Sequence, residues 1–292
     1  MKAVSRLSAP EKLRRLVSDG EAHLAPACFD ALSARLVERA GFDMSFMSGF
    51  AVSAARLGMP DTGLISYGEM IDQGRNICNS VNIPVIGDAD TGYGNALNVR
   101  RTIEGFAQAG FACAMVEDQV APKRCGHTKG KAVVERTEAL LRVRAAIDAR
   151  EEGANILIMA RTDARATDGF DEAMWRMQAF AEAGADILFL EAPQSEAEME
   201  AFCKRVPGPK MANLVEQGDT PLLSLEVLQA MGFSIVLYPL TLLNSAMSAM
   251  ERALISLSRG ETPEGLSEFS HLRNVVGFDD YYLAESRYSD DW

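Results

Sequence analysis

Short apolar runs recur eight times along this chain, with segments of helical periodicity between them, and that alternation limits the folds open to it. The runs cover residues 24–28, 44–48, 85–90, 112–117, 156–161, 187–191, 210–213 and 235–238. Between them, stretches such as 98–109, 136–151 and 171–183 carry apolar residues at helical spacing. Several runs follow the same punctuation, Ala40-Gly-Phe42, Ala109-Gly-Phe111, Ala183-Gly-Ala185 and Met231-Gly-Phe233, in which a glycine suits the left-handed end of a helix. Alternating strand and helix predicts a parallel α/β chain. Eight repeats favour a closed (β/α)8 TIM barrel over an open doubly wound sheet, and no GxGxxG follows the first run to support the open form. A single barrel domain over residues 1–292 is expected, with about 262–292 forming a C-terminal helical arm that docks on this barrel or on a neighbouring subunit.

Polar residues interrupt the runs at their C-terminal ends: Ser48, Asp88 and Asp90, Glu117, Arg161 and Asp163, Glu191 and Asn213. In a barrel those ends converge on one face, where active sites of this fold are built. The net charge of −12 repels nucleic acid and anionic membranes, so an anionic ligand needs local cations. Five cysteines with no CxxC pair, together with a charged N-terminus and no apolar stretch long enough to span a bilayer, point to a soluble protein of the reducing cytoplasm.

Three groups carry chemistry. Asp88 and Asp90, in Gly87-Asp-Ala-Asp-Thr-Gly-Tyr-Gly94, stand two apart at a strand end, so strand alternation would point both carboxylates to one face. Paired hard oxygens repel unless a cation lies between them, and they suit Mg²⁺, or Mn²⁺ in its place; loop-capping aspartates are the plainer alternative. Glu117, ending the next run, strengthens the metal reading, and Asp61 is a further candidate for this acidic ring or a simple turn aspartate. In Pro122-Lys-Arg-Cys-Gly-His127 the thiol of Cys125 has Lys123, Arg124 and His127 within two residues. Such cations lower a thiol pKa from about 8.5, which suits proton transfer near neutrality. Arg161 ends an otherwise apolar run; its planar fork matches a carboxylate, and a salt bridge to Asp163 or Glu191 is the structural alternative. With three histidines in the chain, a zinc site built on histidine is not expected.

The ordered set Ser48-Gly49, Asp88-Ala-Asp-Thr-Gly, Glu117-Asp-Gln, Lys123-Arg-Cys-Gly-His, Ala160-Arg-Thr-Asp, Glu191-Ala and Ala212-Asn213 resembles the isocitrate lyase/phosphoenolpyruvate mutase superfamily, over residues 20–260 or so. Within it the chain is similar to the lyases for 2-methylisocitrate and 2,3-dialkylmalates, and also to carboxyphosphonoenolpyruvate mutases. The resemblance implies Mg²⁺ at Asp90, with Asp88 and Glu117 acting partly through water. It places the α-keto acid half of a hydroxy di- or tricarboxylate on Ser48, Gly49 and Arg161, and the other half on Gly126, His127 and Asn213. It also implies Cys125 as the acid for the departing carbanion, His127 and Glu191 in the catalytic set, and a homotetramer exchanging a C-terminal helix. Asn244 stands where methylisocitrate lyases of this family carry an arginine, and Phe50 resembles the dialkylmalate group, so both bear on the substrate's third carboxylate and favour a 2-substituted malate. A phosphonomutase or hydrolase acting on a C–P bond and a non-catalytic dicarboxylate sensor are the competing readings.

Overall fold

The computed structural model describes residues 7–125 and 130–288. Eight strands, β1 (His23–Cys28), β2 (Ser45–Met47), β3 (Val85–Asp88), β4 (Cys113–Glu117), β5 (Leu157–Thr162), β6 (Ile187–Leu190), β7 (Lys210–Asn213) and β8 (Ile235–Tyr238), pair in sequence order. All pairs are parallel, and β1 pairs with both β2 and β8, so the sheet closes into the expected barrel. Gly110 and Gly184 end their helices with φ of +99° and +104°, the left-handed conformation that the repeated punctuation predicted. Side chains cap helix starts: Ser66 accepts from the Glu69 amide and Asn95 from those of Leu97 and Asn98, each worth about 1 kcal/mol.

Strand alternation divides the core into layers. Phe46, Ile86, Met115, Met159, Phe189 and Met211 point into the barrel, joined by Leu13 and Val17 from the N-terminal end of the chain. The alternate residues, among them Ala114, Val116, Ile158, Leu188 and Val236, pack outward against the surrounding helices. Burying each large interior side chain contributes about 1.5–3 kcal/mol.

The chain divides into two compact units, Met1–Leu242 and Leu243–Trp292. The second contains most of helix Thr241–Ser258, then helices Phe269–Val276 and Phe278–Glu285. Its apolar residues Met250, Leu254, Phe269 and Leu283 are exposed. Among the described residues, no helix is long and apolar enough to cross a membrane.

Candidate active site

In six of the eight strands the inward row runs straight into a functional residue. Two positions beyond Phe46, Ile86, Met115, Met159, Phe189 and Met211 stand Ser48, Asp88, Glu117, Arg161, Glu191 and Asn213. Since side chains two apart share a face, the apolar interior gives way to a ring of polar groups at the strands' C-terminal ends. Ser48, Phe50, Asp61, Asp88, Cys125, Arg161, Glu191 and Asn213, all expected from sequence, line one cavity of about 220 Å³. Gly126 and His127 lie outside the described residues, and Asn244 belongs to the second unit.

Gly49 holds one of these carboxylates from behind. Its amide donates to Asp88 Oδ2 at 3.1 Å, and a Cβ there would lie 2.5 Å from the same oxygen, so only glycine permits the approach. Asp88 Oδ1 also accepts from the Asp90 amide at 3.1 Å. Asp90 reaches the site by a different route from the one strand alternation suggests. β3 ends at Asp88, and Asp90 takes φ of +47°, a left-handed turn whose carbonyl accepts from the Glu117 amide at 2.9 Å.

Lys123 departs from the sequence reading, which set it beside the thiol as one of its cations. Its side chain is 5% exposed, and its ammonium lies 2.6 Å from Asp61 Oδ1 and 2.8 Å from Asp90 Oδ1. It is a counterion for the acidic ring. The signal lay in the burial of a lysine between two aspartates far away in sequence, which no local motif displays. Burial alone would push its pKa down, but Asp90, Asp88 and Asp61 outweigh that and hold it protonated. One ammonium does not balance this ring: burial, helped by Asp88 and Asp61 against the opposing Lys123, pushes the Asp90 carboxyl up to about 6. Burial likewise raises Glu117 well above the carboxylate range, although Arg161 pulls it down.

Arg161 fulfils its structural role without being closed off. Nε donates to Asp163 Oδ2 at 2.8 Å and Nη2 to Asp163 Oδ1 at 3.1 Å, with Glu117 Oε2 3.3 Å from Nε and Glu191 Oε2 3.7 Å from Nη2. The guanidinium carbon stands 5.0 Å from the Phe189 ring centre. Desolvation opposes its charge, but Asp163, Glu191 and Glu117 keep it firmly protonated. Asp163 is itself fixed, because Asp118 accepts from its amide at 3.0 Å and from Thr162 Oγ1 at 2.6 Å, and pairs with Arg176 at 3.0 Å. Asn213 Nδ2 braces Glu191 at 3.2 Å.

The acidic ring suits a hard cation. Asp90 Oδ1 is buried beside the Lys123 ammonium that Asp61 shares, and Glu117 Oε1 is buried without a directed hydrogen bond; carboxylates so incompletely matched are costly unless further positive charge joins them. Among the described residues, no three carboxylates, imidazoles or thiols gather into a metal cluster. Carboxylate oxygens completed by water are the donor set that Mg²⁺ takes. The remaining wall is apolar, and sequence reasoning did not mark it: Val215, Leu237, Pro239 and Leu240 stand with Phe50 and Phe189.

A family model described as phosphoenolpyruvate phosphomutase matches residues 13–258. The chain belongs to the phosphoenolpyruvate mutase/isocitrate lyase superfamily. A 2,3-dimethylmalate lyase of Eubacterium barkeri is 40% identical, over 97% of this chain and 99% of that protein. A 2-methylisocitrate lyase of Aeropyrum pernix is 37% identical, over 95% of this chain and 90% of that one. Among solved structures, phosphonopyruvate hydrolase in complex with oxalate and Mg²⁺ superposes with a TM-score of 0.85 at 29% identity, covering 97% of this chain and 99% of that one. This member of the superfamily is an enzyme of its carbon–carbon lyase class.

Proposed function

We propose that the chain is a Mg²⁺-dependent lyase that cleaves a 2-substituted malate, or 2-methylisocitrate, by retro-aldol chemistry to a pyruvate-like α-keto acid and a carboxylate or dicarboxylate. The observation that carries this reading is one cavity in which a thiol, a fixed arginine and an acidic ring meet an apolar wall. The names of the two lyase relatives support the reaction class.

Asp90, with Asp88 and Glu117 partly through water, would hold the metal, which supplies acidification of the substrate hydroxyl and stabilisation of the forming keto oxygen. Arg161, fixed by Asp163, takes the carboxylate of the keto acid half, with Ser48 and the Gly49 backbone beside it. As the C2–C3 bond breaks, its electron pair passes to C3 while the C2 hydroxyl gives its proton to water and its oxygen becomes a carbonyl; one proton taken back from water later restores the Cys125 thiol. Cys125 Sγ–H protonates C3 and is left as thiolate. Glu191, braced by Asn213, joins the catalytic set at the wall beside Arg161. The roles of Gly126 and His127 toward the second carboxylate, and of Asn244 toward a third, rest on the family resemblance.

The wall of Phe50, Val215, Leu237, Pro239 and Leu240 favours alkyl substituents, which puts a 2-substituted malate ahead of the tricarboxylate and ahead of a C–P substrate, whose dianionic phosphonate gains nothing from such a surface. A cytoplasmic homotetramer completes the reading, with the C-terminal helices acting as an arm on a neighbouring copy. The exposed apolar residues of that arm support it, as does an apolar groove on the barrel unit lined by Leu24, Leu36, Phe42 and Tyr238. Incubation with 2,3-dimethylmalate, 2-methylmalate and 2-methylisocitrate, each with Mg²⁺ or with EDTA, tests the function through coupled pyruvate detection. Metal-dependent pyruvate from the alkylmalates is expected; no α-keto acid from any of the three would overturn the assignment.

A further inference from the structure

Cys125 can serve as an acid only if its backbone is held where the thiol meets the cavity, and one buried amide outside the cavity lining does that holding. Gln119 is 1% exposed. Its Nε2 donates to the Arg124 carbonyl at 2.9 Å, and its Oε1 accepts from the Arg124 amide at 2.9 Å. The side chain thus pairs with Arg124 as a strand neighbour would, using donor and acceptor together. Arg124's carbonyl belongs to the peptide bond that the Cys125 nitrogen completes, so the clamp fixes the plane from which the Cys125 side chain departs.

The anchor is itself secured. Gln119 forms an antiparallel bridge with Val133, the Val120 amide donates to Ala132 O at 2.8 Å, and the Val134 amide donates to Asp118 O at 2.9 Å. From the helix behind, the buried Arg142 donates through Nη1 to Gln119 O at 2.7 Å. None of these bonds uses the Gln119 side chain, so they survive a change of it. We propose that Gln119 is a positioning residue for the reaction, acting through Arg124 on Cys125. The proposal rests on the assignment of Cys125 as proton donor. Glutamine is required because glutamate offers acceptors alone, and leucine leaves both Arg124 peptide groups without their partner.

The test compares Gln119→Leu, Gln119→Glu and Cys125→Ser with the wild-type chain, using 2,3-dimethylmalate with Mg²⁺ for kinetics and hydrogen exchange by mass spectrometry for the segment containing Arg124. In Gln119→Leu, exchange at Arg124 should accelerate by about tenfold or more. Its kcat should fall by about 10- to 100-fold, with KM held within about twofold, as expected of a displaced acid rather than a lost binding contact. Gln119→Glu keeps the acceptor, so it should retain protection of the Arg124 amide and lose less kcat; it also carries the comparison if the leucine variant fails to fold. Unchanged exchange overturns the clamp. A loss confined to KM, or an unchanged kcat alongside an inactive Cys125→Ser, overturns the positioning role. Wild-type turnover in Cys125→Ser removes the acid assignment instead, and a chain that releases no pyruvate from 2,3-dimethylmalate overturns both; the exchange data still report whether the clamp exists.

Discussion

Two layers of the barrel interior, one step apart on the same strands, do opposite work. The lower layer, Ile86, Met115, Met159 and Met211, is apolar and buried, and nothing in it carries charge. The upper layer, Asp88, Glu117, Arg161 and Asn213, is almost as deeply buried but polar and charged, and it is balanced with the help of Lys123, Asp163 and Glu191 around it. Stability comes from the first, and the second spends part of it to hold charges ready for a ligand. Substitutions in the two layers should therefore separate folding from turnover.

The largest effect is expected at Arg161. Arg161→Ala removes the cation between Glu117, Asp163 and Glu191, so kcat/KM for 2,3-dimethylmalate should fall by about 10³-fold or more. Unfolding should lose about 3–5 kcal/mol, as read by urea titration, because Glu117 and Glu191 lose this cation while Asp163 keeps Lys131 at 3.2 Å. Met159→Ala, directly below, should cost about 2–5 kcal/mol by the same titration while kcat of the folded enzyme stays near wild type. A large kcat loss there would break the division between layers.

Much of this division could be read in the sequence. Six strands show their polar residue two places beyond an apolar one, and period-two alternation needs no other information to put them in one ring. Strand alternation brings Asp90 to this face in the sequence, whereas in the fold a left-handed turn beyond the end of the strand carries it there. The position of Lys123 was out of reach, because its partner Asp61 lies 62 residues away and only chain packing brings the two together. The apolar wall was equally silent: Val215 and Leu240 look like any core residue until a cavity is seen beside them. Leu240→Ala tests that wall, with kcat/KM for an alkylmalate expected to drop by about 1–3 kcal/mol of transition-state binding.

The smallest effect expected concerns charge in the upper layer without its cation. The Asp90 carboxyl, pushed up to about 6 from 3.8, binds a proton more tightly in the folded chain than in the unfolded one. Its stabilising contribution is complete below the unfolded value and is lost as pH rises through about 6. For EDTA-treated protein, this group should lower Tm by a few degrees between about pH 4 and about pH 7, a slope that Asp90→Asn should flatten. Added Mg²⁺ should raise Tm more at about pH 7 than at about pH 5, since protons compete for the same oxygens. Equal shifts at both pH values would argue against Asp90 as the ligand.

Cys125→Ser gives the most direct test of the whole account, because the hydroxyl keeps the shape of the thiol and lacks its acidity. With 2,3-dimethylmalate and Mg²⁺ saturating, kcat for pyruvate release should fall by at least about 10²-fold while Tm remains at the wild-type value. Turnover at the wild-type rate would contradict the assignment of Cys125 as the acid that completes carbon–carbon cleavage.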